Sequence, residues 1–226
     1  MRKKLNYGMV GGSLTAFIGG VHRMGIHFDG RAKLVAGCFS KDDERNEETA
    51  DFYELDKERV YVSYEEMAEK ESQREDGIDF VTIATPNFLH YQTAKTFLEH
   101  GINVLCEKPL CFTLEEAEEL KKIAEEKNLL FCVNYSYSGN NMVKLSSWRK
   151  DPKLAGISNC VGDIGTHIEH TVAYMTGLQL KKVAAKLDTF GQPLDLNANI
   201  LVEFENGAHG VFCSSQVCVG HMNGLV

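Results

Sequence analysis

Three side chains that could do acid–base chemistry or bind a metal ion lie close together in the segment 162–175. Asp163 and His167 are four residues apart, and His170 follows three residues later. On an α-helix this spacing places the carboxylate and the imidazoles on one face, where they can touch. The spacing leaves three interpretations open: the polar face of a structural helix, an acid–base pair, or a metal site.

A second candidate lies at the end of the apolar run 103–106, where Glu107, Lys108 and Pro109 follow one another. Proline cannot continue a central ladder and disfavours helix at the residue before it. Lys108 is therefore predicted at the point where a parallel strand ends. Open α/β sheets bind ligands at such carboxyl ends. A surface ion pair between Glu107 and Lys108 is the alternative interpretation.

Strand-like and helical segments alternate along the first part of the chain. The apolar runs lie at 7–10, 33–39, 79–84, 103–106 and 129–133. Thr113, followed three residues later by Glu116, is a capping box that predicts the start of a helix. The alternation predicts a doubly wound parallel sheet with right-handed crossovers over residues 1–135, in an α/β fold.

The pattern changes in residues 136–226. A helix is predicted over 162–175, ending at Gly177, whereas the segment 136–159 is predicted as loop. Strand-like runs follow at 182–190, 198–204 and 209–217, and Asn206-Gly207 between the last two is a strong hairpin signal. These residues are predicted to form a second domain with a largely antiparallel sheet.

A glycine-rich turn follows the first strand. Gly11, Gly12 and Ser13 precede a predicted helix at 16–25. Glycines here would let the backbone approach a pyrophosphate, whose negative charge the helix N-terminus favours. The fit to GxGxxG is imperfect because Ser13 takes the second glycine position, and an ordinary glycine turn is the alternative.

The end of the second strand bears on cofactor choice. Ser40 and Lys41 stand where an NAD-specific site often has an acid for the ribose hydroxyls. These two residues suit a 2′-phosphate, although Asp42 and Asp43 are adjacent. We therefore expect NAD or NADP, with a slight preference for NADP. A helix N-cap at Ser40 is the alternative interpretation.

Composition restricts the class of protein. The chain has 226 residues, 43% of them hydrophobic, and a net charge of −8 without a basic block. We expect no nucleic-acid or anionic-membrane partner. No run approaches the ~18 apolar residues of a membrane span, and the start resembles a strand rather than a signal peptide, so a cytoplasmic protein is expected. The seven cysteines are scattered without a Cys-x-x-Cys pair.

Four ordered motifs resemble the Gfo/Idh/MocA family of oxidoreductases. They are GMVGG at 8–12, TPNFLH at 85–90, EKP at 107–109 and GDIGTH at 162–167. The resemblance implies an N-terminal Rossmann domain and a C-terminal α+β domain whose open sheet often mediates homo-oligomerisation. It also implies NAD(P)-dependent oxidation or reduction at one hydroxyl or ketone carbon of a sugar, inositol or related polyol.

The resemblance also implies roles by position. His167 would take the substrate proton, Lys108 would hold the substrate oxygen, and Asp163 would orient the substrate and polarise His167, with no metal ion involved. Residues expected at the cofactor are Gly11, Gly12, Ser13, Ser40, Lys41, Thr85, Pro86, His90 and Glu107, the last on the nicotinamide ribose. Residues expected at the substrate are Asn134, Trp148, Arg149, Asp151 and His170, with a structural loop role as the alternative for Trp148, Arg149 and Asp151.

The chain departs from the family pattern in its second domain. The region 138–147 looks compressed, and the chain stops at Val226 just after a hairpin. We therefore expect a truncated or gapped chain, which favours a non-catalytic dinucleotide- or sugar-binding protein as the alternative function. The joint presence of Lys108, Asp163 and His167 favours an enzyme. A metal-dependent lyase or isomerase using Asp163, His167 and His170 is a third interpretation.

Overall fold

The computed structural model describes residues 4–134 and 151–217, which fall into two compact units, Met1–Asn134 and Tyr135–Val226. The strands of the first unit are β1 (Leu5–Gly11), β2 (Ala32–Cys38), β3 (Phe80–Ala84), β4 (Asn103–Cys106) and β5 (Phe131–Val133). Its helices are α1 (Phe17–His27), α2 (Asp43–Phe52), α3 (Tyr64–Ser72), α4 (His90–Glu99) and α5 (Leu114–Glu126).

The five strands form one parallel sheet in the order β2-β1-β3-β4-β5. The predicted doubly wound sheet is thus confirmed. Its central strands are mostly apolar, with Val10, Val81, Ile83 and Val104 all buried. Continuous apolar runs are expected in a parallel sheet because helices cover both faces. The carboxyl ends of all five strands lie at one edge.

Side-chain caps fix the starts of α2 and α5. The predicted capping box is confirmed, since Thr113 and Glu116 satisfy each other's backbone N–H groups at the start of α5. The start of α2 differs from the alternative interpretation of Ser40. Asp42 is the N-cap and accepts from the N–H of Arg45 at 2.9 Å, while the Ser40 hydroxyl accepts from the N–H of Asp42. Ser40 therefore supports the cap without being the cap.

The second unit contains a short helix, a longer helix and a small sheet. Its elements are α6 (Pro152–Ala155), a π-helical turn (Val161–Gly165), α7 (Thr166–Thr176), β6 (Leu180–Asp188), β7 (Asn197–Phe204) and β8 (His209–Ser215). The strands are antiparallel in the order β6-β7-β8, which confirms the predicted sheet. Gly207 in the hairpin has φ +85° and Gly177 after α7 has φ +71°, conformations that favour glycine.

Helix α6 lies inside the segment predicted as loop, so that part of the prediction is wrong. Asp151 caps it by accepting from the N–H of Lys153 at 2.9 Å, and Pro152 occupies the first turn. Proline is favoured there because its missing N–H would have no intrahelical partner. The helix has only four residues, which is too short to produce a periodic pattern in the sequence.

The sheet of the second unit packs one face against α7. Val202, Phe204 and Phe212 form the buried side, against Ile168 and Val172 of the helix.

On the other face Leu201 and Val211 are cross-strand neighbours, and each is 61% exposed. Use of this face for oligomerisation stays a prediction. Within the two described ranges, no helix has the length and apolarity that a membrane crossing requires.

Candidate functional site

Most of the predicted site residues of the first unit follow the ends of parallel strands. Gly12 follows β1, Thr85 follows β3, Glu107 and Lys108 follow β4, and Asn134 follows β5. Because the strands are parallel and adjacent, these residues meet at the same edge of the sheet. Ligands of doubly wound sheets bind at this edge, beside the point where the strand order reverses. Here that point lies between β1 and β3.

The turn between β1 and α1 fits a phosphate group. Gly11 and Gly12 have φ +76° and +70°, which side chains rarely tolerate. A Cβ atom on Gly19 would lie 2.4 Å from Cα of Gly12, so strand and helix approach as closely as glycine allows. The N-cap of α1 is Ala16, which provides no side-chain cap. The first-turn N–H groups of this helix therefore suit an anion.

The contact between Gly12 and Gly19 yields a first prediction. Gly19→Ala would force a methyl group against the backbone of Gly12, costing about 1–3 kcal/mol of stability and weakening dinucleotide binding. Gly20→Ala is the matched control, because no atom lies within 4 Å of its added Cβ. Thermal unfolding and dinucleotide titration of both variants test this. Equal behaviour of the two variants would contradict the proposed contact.

Two hydroxyl groups beside this turn have different surroundings. Oγ of Ser13 lies 3.2 Å from Oγ1 of Thr15. The hydroxyl of Thr85 is buried and has no hydrogen-bond partner among the described residues. Gly11 packs against the backbone at this point, since a Cβ on it would lie 2.9 Å from the Thr85 nitrogen. The glycine turn and the Thr85-Pro86 loop therefore adjoin.

The loop after β2 is held by a buried side chain that the sequence did not reveal. Oδ1 of Asn46 accepts from the N–H of Phe39 at 2.7 Å, and its Nδ2 donates to the carbonyl of Tyr61 at 3.0 Å. Ser40 is half-buried and Lys41 is exposed. The loop thus has a fixed backbone and an outward lysine.

His90 joins two loops of the site. The residue is 1% exposed, with Nδ1 of its ring 2.6 Å from the carbonyl oxygen of Pro109 and Nε2 2.9 Å from that of Thr85. Burial lowers the pKa of His90, and the two carbonyl contacts offset this in part. The imidazole therefore faces the protein, and the position of His90 along the cofactor stays a prediction.

Glu107 lies at the centre of a buried polar cluster. Its Oε1 accepts from Nε2 of His22 at 2.6 Å and from Nδ2 of Asn134 at 2.5 Å. On the other side of the imidazole, Nδ1 of His22 lies 2.6 Å from the hydroxyl of Thr82. Burial alone would raise the pKa of Glu107, but the hydrogen bonds from His22 and Asn134 hold it below its usual value. A buried carboxylate therefore stays ionised here.

This cluster changes the picture of two predicted residues. Asn134 was expected at the substrate, and in the structure its amide binds Glu107. Glu107 was expected on the nicotinamide ribose, and its side chain is 7% exposed and turned toward His22. Lys108, which is half-buried, donates its backbone N–H to Oε2 of Glu107 at 3.2 Å, and its peptide bond to Pro109 is cis.

In the second unit, Asp163 lies in the π-helical turn and His167 in the first turn of α7. The prediction of one regular α-helix is wrong at this point, because the N–H of Thr166 reaches back five residues to the carbonyl of Val161. The α-helical spacing from Asp163 to His167 and His170 therefore does not show that the three side chains share one face. Such π turns are frequent at functional sites.

The other candidate residues of α7 differ in exposure. His167 is 6% exposed, whereas His170 is exposed and stacks on Tyr174 with ring centroids 6.3 Å apart.

Three polar side chains position the π-helical turn. The buried carboxylate of Asp195 accepts from the N–H groups of Asn159 and Val161 at 2.9 and 2.8 Å. Nε2 of Gln216 donates to Oδ2 of Asp163 at 3.3 Å, and Gln216 also pairs with the Asn159 amide. The segment between β6 and β7 and the end of β8 thus fix the place of Asp163.

Some predicted residues play no part that the structure shows. Trp148 and Arg149 lie outside the described residues, and Asp151 caps α6. In the ranges 4–134 and 151–217, no three His, Cys, Asp or Glu side chains are grouped so that they could hold a metal ion. The metal interpretation of Asp163, His167 and His170 therefore has no support from these ranges.

Sequence reasoning missed His22, Asn46, Asp195 and Gln216. All four act through partners distant in the sequence, or through backbone groups, so no local spacing marks them. One signal could have drawn attention to His22: it is a polar residue on the glycine-rich helix that follows the glycine turn.

The parallel sheet with its glycine turn defines the first unit as a dinucleotide-binding domain of the Rossmann type. The chain belongs to the GFO/IDH/MocA oxidoreductase family. The family model described as "Oxidoreductase family, NAD-binding Rossmann fold" matches residues 5–135. The model described as "GFO/IDH/MocA C-terminal domain" matches residues 127–225. The resemblance in the four motifs is confirmed.

Relatives with this fold are similar over nearly the whole chain. The oxidoreductase YfiI of Bacillus subtilis (strain 168) is 35% identical over 263 residues, covering 98% of this chain and 67% of that protein. The structure of an inositol dehydrogenase homologue from Azotobacter vinelandii with NAD+ has a TM-score of 0.91 and 34% identity, over 98% of this chain and 67% of its own. The same homologue with NADH and myo-inositol has a TM-score of 0.88 at 33% identity, over 98% of this chain and 66% of its own.

The chain thus spans about two thirds of the length of these proteins. The alignment with the Bacillus protein is longer than the 226 residues of this chain, so that protein has internal residues without a counterpart here. The chain is an oxidoreductase of the dehydrogenase type, as the sequence predicted.

Proposed function

We propose that the chain transfers a hydride between a nicotinamide cofactor and a secondary hydroxyl or ketone of a sugar, inositol or related polyol. The observation that carries this proposal is the position of Lys108, at the carboxyl edge of a sheet that also presents the glycine turn. The inositol dehydrogenase homologue solved with NADH and myo-inositol supports the substrate class.

The residues of the glycine turn suit the cofactor. Gly11 and Gly12 leave room for a pyrophosphate, and the first-turn N–H groups of α1 are not capped by a side chain. When bound, the nicotinamide ring supplies the hydride acceptor or donor.

Lys108, Asp163 and His167 are the proposed catalytic residues. The imidazole of His167 takes the proton of the substrate hydroxyl, because loss of a hydride from carbon requires removal of that proton. The ammonium group of Lys108 binds the same oxygen and stabilises the negative charge that develops on it. Asp163 binds a neighbouring group of the substrate and orients it, and its own place is fixed by Gln216.

Cofactor reduction with NAD and NADP against a panel of inositols, hexoses and anhydrosugars tests the function. Oxidation of one polyol with formation of reduced cofactor is the expected result. Calorimetry with each dinucleotide accompanies the screen. Dinucleotide binding without turnover on any substrate would favour the non-catalytic binding protein. Failure to bind either dinucleotide would contradict both functions.

We also propose a preference for NADP. Ser40 and Lys41 follow β2, and Asp42, the nearest acid, has its carboxylate engaged in capping α2. Ser40→Asp would place a negative charge beside the 2′-phosphate and is expected to lower the NADP/NAD ratio of kcat/KM at least about tenfold, or 1.4 kcal/mol. Ser72→Asp adds the same charge at the end of α3 and should leave the ratio unchanged. An unchanged ratio in Ser40→Asp would show that the ribose lies elsewhere.

A further inference from the structure

His22, which is not among the predicted site residues, holds the carboxylate of Glu107 beside Lys108. His22 lies on α1 and is 5% exposed, and its Nε2 approaches Oε1 of Glu107 to 2.6 Å. A carboxylate only accepts hydrogen bonds, so Nε2 carries the hydrogen and donates it. Nδ1 lies against the hydroxyl of Thr82 on β3, which fixes the ring from its other side.

The carboxylate of Glu107 connects this histidine to the backbone of Lys108. Oε1 receives the hydrogen bonds of His22 and Asn134, and Oε2 receives the backbone N–H of Lys108 at 3.2 Å. One carboxylate therefore links α1, the end of β5 and the residue that carries the catalytic ammonium group. Groups packed this closely hold a side chain to a fraction of an ångström, which catalysis requires.

We propose that His22 is a positioning residue for the hydride-transfer reaction: by holding the Glu107 carboxylate, it fixes the backbone from which Lys108 reaches the substrate. This inference rests on the proposed function. It assigns Glu107 to the support of Lys108, in place of a ligand role on the nicotinamide ribose. His22 itself touches neither substrate nor cofactor in this proposal.

The inference predicts a separation of kinetic effects. His22→Leu removes the donor to Glu107 and is expected to lower kcat on the order of 100-fold, the cost of misplacing a reacting group by about 1 Å. The dissociation constant of the dinucleotide should stay near that of the unaltered protein. His22→Gln keeps an N–H at the place of Nε2 and should restore most of kcat.

His27→Leu is the matched control. It makes the same exchange on the same helix, where the imidazole of His27 contacts the Tyr7 hydroxyl and not Glu107. Its kcat should equal that of the unaltered protein. Equal loss of kcat in His22→Leu and His27→Leu, or no rescue by His22→Gln, would overturn the inference while the proposed function stands.

The pH dependence of kcat distinguishes positioning of Glu107 by His22 from a merely structural role of His22, which would leave that dependence unchanged. Groups whose charges act on Glu107 or respond to it, within the described residues, are His22, Lys108, His90 and Cys106. The bond from His22 lowers the pKa of Glu107, so its loss lets Glu107 take up a proton at higher pH. The acid limb of the kcat profile should therefore move to higher pH in His22→Leu and stay in place in His27→Leu.

Titration of the Glu107 carboxyl carbon by NMR covers the case in which His22→Leu does not fold. In the unaltered protein Glu107 should titrate below the usual range of a glutamate, and in the folded His22→Gln variant it should remain low. Titration at or above the usual value in the unaltered protein would overturn the inference. Absence of turnover and of dinucleotide binding in the unaltered protein would overturn the proposed function and this inference together, a result seen before any variant is made.

Discussion

Lys108→Ala is expected to lower kcat by about 10²–10⁴-fold in both reaction directions while dinucleotide binding is retained. The lysine ammonium group is proposed to stabilise charge on the substrate oxygen, and alanine supplies neither charge nor hydrogen bond. The backbone N–H that donates to Glu107 is kept in the variant. Steady-state kinetics and a separate cofactor titration give the two quantities.

Lys127→Ala is the control for this loss. Lys127 is exposed at the end of α5, so its removal changes net charge equally without touching the edge of the sheet. Lys108→Arg should remain far below the unaltered protein because the larger planar group does not fit the place of an ammonium ion. Full activity in Lys108→Ala would remove this residue from the mechanism.

His167→Asn should reduce oxidation of the substrate by a similar factor, about 10²–10⁴-fold, and should also change its pH dependence. A general base must be unprotonated, so oxidation by the unaltered protein is expected to accelerate as pH rises and the reverse reaction as pH falls. Asparagine cannot take the proton, so this dependence should disappear. Rates measured in both directions over a pH series test the prediction.

His209→Asn is the matched control for His167, since His209 lies exposed on β8. It should leave both rate and pH profile unchanged. His170→Asn separates the two histidines of α7, because an exposed ring stacked on Tyr174 is expected to affect KM more than kcat. A pH profile preserved in His167→Asn would show that another group takes the proton.

The sequence predicted the parts of the fold that depend on local chemistry. Five apolar runs became five parallel strands, Thr113 and Glu116 formed their capping box, and Asn206-Gly207 formed a hairpin. Each of these features is decided within a few residues by burial, by backbone donors at a helix start or by a positive φ angle. These features could therefore be predicted without a structure.

The contacts that position the candidate site residues could not be predicted from the sequence in the same way. His22 and Glu107 are 85 residues apart in the sequence and meet because β1, β3 and β4 are neighbours in the sheet. The π-helical turn at Asp163 depends on Asp195, more than thirty residues further along the chain. Such contacts are set by the order of strands and by packing, which no spacing within one segment encodes.

The two contacts on α1 limit how this domain can be re-engineered. Gly19 packs against Gly12 in the glycine turn, and three residues later His22 is hydrogen-bonded to Glu107. A turn transplanted from another dehydrogenase would shift α1 and so disturb Glu107, the neighbour of the proposed catalytic residue Lys108, even if the new turn bound its cofactor well. The turn and the helix are therefore best exchanged together, as one segment over residues 11–27, with Thr82 and Glu107 kept as the hydrogen-bond partners of His22.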